Sequence, residues 1–234
     1  VTSGTAVPAG GFVIAIDGPS GTGKSTVARR VAGRLGAGYL DTGAMYRIVT
    51  LAVLRSGVDP ADDAAVAALL PTVDLVTPTD PDAQRHRLGD VDVSDEIRGQ
   101  HVTLAVTPVS ANPAVRAFLK QRQQDIAHSG RMVVEGRDIG TVIAPDATLK
   151  IYLTADAQER ARRRHGQNRS VAAHAGQDLA AVALDLQRRD SHDQARTHAP
   201  LQAAEDAVLV DSSTLEAHET VSHILRLASE RGIR

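Results

Sequence analysis

The chain has 234 residues, a net charge of −2 at pH 7, 42% apolar residues and no cysteine. That length suits one globular unit. The charge excludes a global basic field for duplex nucleic acid, and the missing cysteine excludes disulfides, thiolate metal sites and cysteine nucleophiles.

No stretch reaches the roughly 18 to 20 apolar residues of a membrane span. The start VTSGTAVPAGG lacks a positive n-region and an apolar h-region, so the expectation is a cytoplasmic protein with no membrane partner. Residues 1–10 read as a disordered lead-in and 11–234 as a single domain. Phe12 to Ile16 is an apolar, β-branched run suited to a buried parallel strand. Gly18 to Ser25 then reads GPSGTGKS, a complete G-x-x-x-x-G-K-[ST] loop, and Ser25 to Leu35 carries apolar residues at helical spacing. Glycines are needed where a Cβ would keep backbone N–H groups from converging on phosphate oxygens. The loop feeds a helix N-terminus whose positive dipole end favours a polyphosphate. Lys24 is placed to reach the β/γ-phosphates and Ser25 to offer a hydroxyl to Mg²⁺.

A short strand at Tyr39-Leu40 leads into Asp41-Thr42-Gly43-Ala44-Met45-Tyr46-Arg47 and a helix over Ala44 to Ser56. Thr42, Tyr46 and Arg47 place a hydroxyl, an aromatic face and a guanidinium at the carboxyl edge of the sheet, where open α/β folds bind ligands. The plainer alternative is a helix cap with a solvated arginine. Residues 72–97 break the alternation with a Gly89-Asp90 turn between short apolar pairs, which reads as a small antiparallel insert. A helix over Ala114 to Ala127 and a strand over Met132 to Val134 bring in Glu135-Gly136-Arg137-Asp138. Glu135, at a strand end, suits a place near Mg²⁺. Arg137 and Asp138 supply a cation and an acceptor, or else pair or cap locally.

After a strand over Leu149 to Leu153, a helix over Ala157 to Gln167 carries Arg160, Arg162, Arg163 and Arg164. Mobile arginines that close over a transferring phosphoryl group stabilise its charge and exclude water; a solvated basic face is the alternative. Residues 168–177, NRSVAAHAGQ, read as a mobile, lid-like connection. In the next helix, predicted over Asp178 to Asp190, Arg189, Asp193 and Arg196 share one face if the helix continues. Taken alone they would be an exposed ion-pair ladder. A strand over Val208 to Val210 and a helix over Leu215 to Glu230 complete a parallel α/β pattern covered on both faces. His101, His128, His165, His174, His192 and His198 show no ligand spacing, so no histidine metal site is expected.

The strings IDGPSGTGKST, LDTGAMYR, SDEIR, EGRDIGTV and RRDSHDQAR-x-x-APL, in this order, resemble bacterial cytidylate kinase over residues 12 to 230. The resemblance implies a P-loop nucleoside monophosphate (NMP) kinase fold: a five-stranded parallel sheet flanked by helices, an NMP-binding insert at 72–97 and a lid at about 157–178. It implies phosphoryl transfer from ATP, with Mg²⁺, to CMP and dCMP, with UMP a poor substrate, by a monomer without nucleic-acid partners. ATP would be held by Gly18, Pro19, Ser20, Gly21, Thr22, Gly23, Lys24, Ser25 and Thr26, and Mg²⁺ by Ser25 and Glu135. CMP would be held by Thr42, Tyr46, Arg47, Thr107, Arg116, Arg137, Asp138, Arg189, Asp193 and Arg196, with Thr107, Arg116 and Asp138 on the cytosine edge. Lys24, Arg137, Arg160, Arg164 and Arg189 would be catalytic. Relative to the family, Glu135 replaces a common aspartate, Thr42 and Thr107 replace common serines, and His192 falls where some members carry arginine. Kinases of UMP, AMP, TMP or shikimate share the fold. A GTP-dependent switch is disfavoured because no D-x-x-G or N-K-x-D string occurs.

Overall fold

Strand β1 (Phe12–Asp17) is buried along its whole length, which requires paired strands on both edges and helices on both faces. The computed structural model describes residues 10–169, 178–196 and 199–234. Nearly all of the predicted lead-in, and residues 170–177 of the predicted connection, lie outside them. β1 pairs in parallel with β6 (Arg131–Gly136) on one side and β7 (Leu149–Thr154) on the other. β2 (Gly38–Asp41) extends the sheet beyond β6 and β8 (Val208–Asp211) beyond β7, giving the order β2-β6-β1-β7-β8.

Alternation along β1 divides the core. Ile14 and Ile16 pack with Val27 and Val31 of α1 (Lys24–Arg34) and Ile224 of α8 (Ala217–Glu230). Val13 and Ala15 face Met45 and Val49 of α2 (Thr42–Arg55) and Leu119 of α5 (Pro113–Ala127). The carboxyl ends Asp17, Asp41 and Gly136 therefore meet along one edge, where the chain leaves β1 for either side.

The insert is a small antiparallel sheet, with β4 (Arg87–Leu88) between β3 (Leu75–Val76) and β5 (Val91–Asp92). Tyr39 N–H donates to the Thr79 carbonyl at 2.7 Å, so the insert covers the otherwise open edge of β2. Two helices lie outside the predicted set. α3 (Asp63–Leu69) is short, and α4 (Gln100–Ala111) contains three valines, two threonines and Pro108. The intrinsic preference of α4 is poor; burial of Val102 and Val109 overrides it. α7 (Leu179–Gln194) continues past the predicted end at Asp190 and packs on α6 (Ala157–Arg169) through Ala161, Val182 and Leu186.

Asn112 joins α3, α4 and α5. Its Oδ1 caps α5 by accepting from Ala114 N–H at 2.8 Å, and its Nδ2 donates to the Asp63 carbonyl at 3.1 Å. Asn112→Ala is expected to cost about 1–2 kcal/mol in chemical denaturation, with substrate KM values unchanged.

Candidate active site

The loop between β1 and α1 is shaped by glycine. Gly18 has φ of 146°, and a Cβ there would collide with the Leu153 carbonyl of β7. Gly23, at φ of 91°, precedes α1 and offers no side-chain cap to the helix's first N–H groups. Lys24 opens α1 and donates from Nζ to the Pro19 carbonyl at 2.7 Å. Burial, and then the charge of Arg137, push its pKa down to about 7.

Glu135, the penultimate residue of β6, accepts from the Tyr39 hydroxyl. Burial, reinforced by Asp41, pushes its pKa up to about 7. Ser25 and Glu135, which carry the two expected Mg²⁺ oxygens, line the same cavity. That pair fits Mg²⁺, which takes one or two protein oxygens and fills its shell with phosphate and water. Among the described residues no cluster of three or more His, Cys, Asp or Glu offers an all-protein metal cage.

At the end of β1, Asp17 accepts from Ile139 N–H and Gly140 N–H, each at 2.8 Å. This fixes the wide turn Ile139–Ile143, whose first carbonyl partner is Asp138. Asp17 itself is raised to about 6, because burial outweighs those two bonds. Arg137 and Asp138 consequently diverge to different partners. Asp138 pairs with Arg116, whose guanidinium carbon lies 5.7 Å from the Tyr46 ring centroid. Arg137 donates from Nε to Asp193 at 3.0 Å and from Nη2 to Ser20 Oγ at 2.6 Å. Burial raises the Asp138 carboxyl while Arg116 pulls it back.

The remaining predicted acceptor residues complete the wall. Thr42 Oγ1 donates to the Glu135 carbonyl at 2.7 Å, while Asp41 caps α2 by accepting from Ala44 N–H at 2.9 Å. Arg47 donates to the Ile97 carbonyl and Thr103 Oγ1, both at 3.0 Å. Burial and the nearby Arg164, Arg189 and Arg98 charges lower its pKa to about 9. Arg98 is paired with Asp41 at 3.5 Å and Arg189 with Asp185 at 2.7 Å, yet the concentration of guanidinium groups around Arg47 still favours an anion. Arg189 and Asp193 lie on α7, but Arg196 falls beyond its end at Gln194 and turns back to Asp193 at 2.5 Å and to Ser110 Oγ at 3.0 Å. The uninterrupted helical face expected for all three is therefore replaced by a helix end that folds Arg196 inward.

A cavity of about 640 Å³ runs from the glycine loop to these arginines, a size within the usual range for small-ligand sites. Every predicted site residue except Gly18, Pro19, Thr22 and Arg160 contributes to its wall. The first three shape the loop from behind. Arg160, expected over the transferring phosphate, instead lies outside the cavity: it pairs with Asp190 and donates to the Ser20 carbonyl at 3.1 Å. Arg163 is likewise engaged, with the Thr22 carbonyl at 3.2 Å and the Ser212 carbonyl at 2.6 Å. Arg164 does enter the wall.

Asp17, Tyr39, Asp190 and His86 were not foreseen as site residues. The first two had a signal in their positions at or next to strand ends beside the motifs, and Asp190 in its place within RRDSHDQAR. His86 had none: it sits in a polar stretch of the insert, yet it lines the cavity at 1% exposure with neither ring nitrogen hydrogen-bonded.

A sequence profile of cytidylate kinase matches residues 14–230. The chain is 54% identical over 221 residues to a cytidylate kinase of Rhodococcus opacus, covering 94% of this chain and 96% of the relative. It is also 54% identical over 221 residues to one of Nocardia farcinica, covering 94% of each. A cytidylate kinase of Mycolicibacterium paratuberculosis is 53% identical over 220 residues, covering 94% of this chain and 96% of the relative. With a phosphate loop facing an arginine-lined pocket and matches along nearly its whole length, the chain belongs to the cytidylate kinase family, enzymes of the nucleoside monophosphate kinase type.

Proposed function

We propose that the protein transfers the γ-phosphoryl group of ATP to CMP and dCMP, yielding ADP and CDP or dCDP, and that it uses UMP poorly. The observation that carries this reading is the Arg116–Asp138 pair in the same cavity as the glycine loop and Lys24. One oxygen of Asp138 is taken by Arg116; the other accepts from the exocyclic amine of cytosine. Uracil presents a carbonyl at that place, and a carboxylate has nothing to donate to it. A site built on such a bond rejects the wrong base strongly, because its own buried polar group is then left unpaired.

The acceptor phosphate is already a competent nucleophile at pH 7, so no general base is needed. Catalysis is positioning and charge stabilisation. Arg47, Arg137 and Arg189 neutralise the acceptor phosphate, whose repulsion would otherwise oppose in-line approach of the donor. Asp193 and Arg196 hold the sugar side. Lys24 and the free N–H groups at the start of α1 hold the donor phosphates, with Arg164 over them. Mg²⁺, held by Ser25 and Glu135, supplies neutralisation of phosphate charge when bound. The insert at 72–97 and the α6–α7 segment at about 157–178 act as the acceptor-side flap and the lid, which keep water from the transferring group.

Initial rates of ADP formation with Mg-ATP and CMP, dCMP, UMP, AMP, TMP or no acceptor test this. The expected result is CMP and dCMP at least about tenfold above every other acceptor. AMP or TMP as the preferred acceptor would leave the fold standing and remove Asp138, Thr107 and Arg116 from base recognition.

A further inference from the structure

Ser20 of the glycine loop is held by three different side chains. Its N–H donates to Asp190 Oδ1 at 3.0 Å. Its carbonyl accepts from Arg160 Nη1 at 3.1 Å, and Arg160 is itself paired with Asp190. Its hydroxyl oxygen accepts from Arg137 Nη2 at 2.6 Å, while Nε of the same guanidinium donates to Asp193 Oδ2 at 3.0 Å. Asp190 and Asp193 lie three residues apart on α7, both buried. The bonds therefore close a ring: α7 through Asp190 to the Ser20 peptide, through its hydroxyl to Arg137, and back to α7 through Asp193.

The ring spans the donor and acceptor ends of one cavity. Ser20 belongs to the donor loop, and Arg137 and Asp193 to the acceptor pocket. We infer that Ser20 is a positioning residue that couples the two nucleotide sites, its hydroxyl transmitting the placement of Arg137 to the donor loop. This rests on the reading of the acceptor pocket as a CMP site. A phosphate bound to Arg137 fixes the guanidinium; the guanidinium fixes the Ser20 hydroxyl; the Asp190–Arg160 pair prevents the Ser20 peptide from turning to accommodate any other position. The loop is then already ordered when ATP arrives, and ATP, by ordering the loop, orders Arg137 for CMP. Such linkage is reciprocal by necessity, and each ligand tightens the other by the same factor.

The test is the Kd of CMP, by calorimetry, alone and with a saturating Mg-bound non-hydrolysable ATP analogue, for the wild-type protein and for Ser20→Ala and Ser20→Thr. The wild type is expected to bind CMP about tenfold more tightly with the analogue, within the usual range of coupling. Ser20→Ala is expected to bring that ratio below about threefold, and Ser20→Thr, which keeps the hydroxyl, to restore it. A general loosening of the loop would weaken both affinities and leave the ratio intact, and that result overturns the inference. So does a threonine variant as uncoupled as the alanine one, or a wild-type ratio near one. A wild type that binds no CMP in either condition would instead strike the acceptor reading itself, and the coupling with it.

Discussion

Asp138→Ala is expected to lower kcat/KM for CMP by about a hundredfold or more while leaving KM for ATP within about threefold. Two losses combine. The cytosine amine loses its acceptor, and Arg116, with its side chain only 13% exposed, loses its counter-ion. Breaking a buried pair from one side costs about 3–5 kcal/mol, because the remaining charge stays buried and unpaired. The variant therefore also melts earlier, and the kinetics must be measured well below its transition. Asp138→Asn separates the two effects. It retains an oxygen for Arg116 and gains an amide N–H able to donate to the uracil carbonyl. Its UMP-to-CMP ratio of kcat/KM is expected to rise at least about tenfold. An ATP KM that climbs in step with that for CMP would remove Asp138 from base recognition and make it a support of the whole cavity.

Which parts of this site were legible in the sequence depends on what each part asks of the chain. The sheet was legible because buried parallel strands must be continuous apolar runs: Phe12 to Ile16 and Leu149 to Leu153 fall within β1 and β7. The glycine loop was legible because the backbone itself excludes other residues, as the Gly18 contact with Leu153 shows. α4 was not, since its helix is imposed by burial of Val102 and Val109 against a sequence of poor intrinsic preference. The destinations of the arginines were least legible. Arg160 and Arg164 share one face of α6, about 6 Å apart along its axis. That one turn decides that Arg160 meets Asp190 and the back of the loop, whereas Arg164 reaches the cavity. Charge and periodicity locate a basic face, but only tertiary depth assigns each guanidinium its partner.

Lys24→Met is expected to lower kcat by about a thousandfold, the scale for removing a preorganised charge from a phosphoryl-transfer site, and at the same time to raise the melting temperature of the ligand-free protein. The second effect follows from the environment of Lys24. It is buried, and desolvation with the Arg137 charge lowers its pKa from 10.5 to about 7. Above about pH 10.5 the lysine is neutral both folded and unfolded, and burial carries no protonation penalty. As pH falls the unfolded chain takes up a proton that the folded site resists, so stability declines until about pH 7, below which the full penalty remains. Methionine keeps the length and removes the charge, so the gain is largest at pH 7 and below and fades by about pH 10. Loss of the bond to the Pro19 carbonyl and of the attraction to Glu135 offsets part of it, leaving about 1–3 kcal/mol. Denaturation of both proteins at pH 6, 7 and 9.5, beside single-turnover rates, checks the pairing of effects. A methionine variant less stable than wild type at pH 6 would mean that Lys24 holds the empty loop together. A more stable one would show that the loop keeps a buried cation at a cost to the fold that the Pro19 carbonyl and Glu135 do not offset.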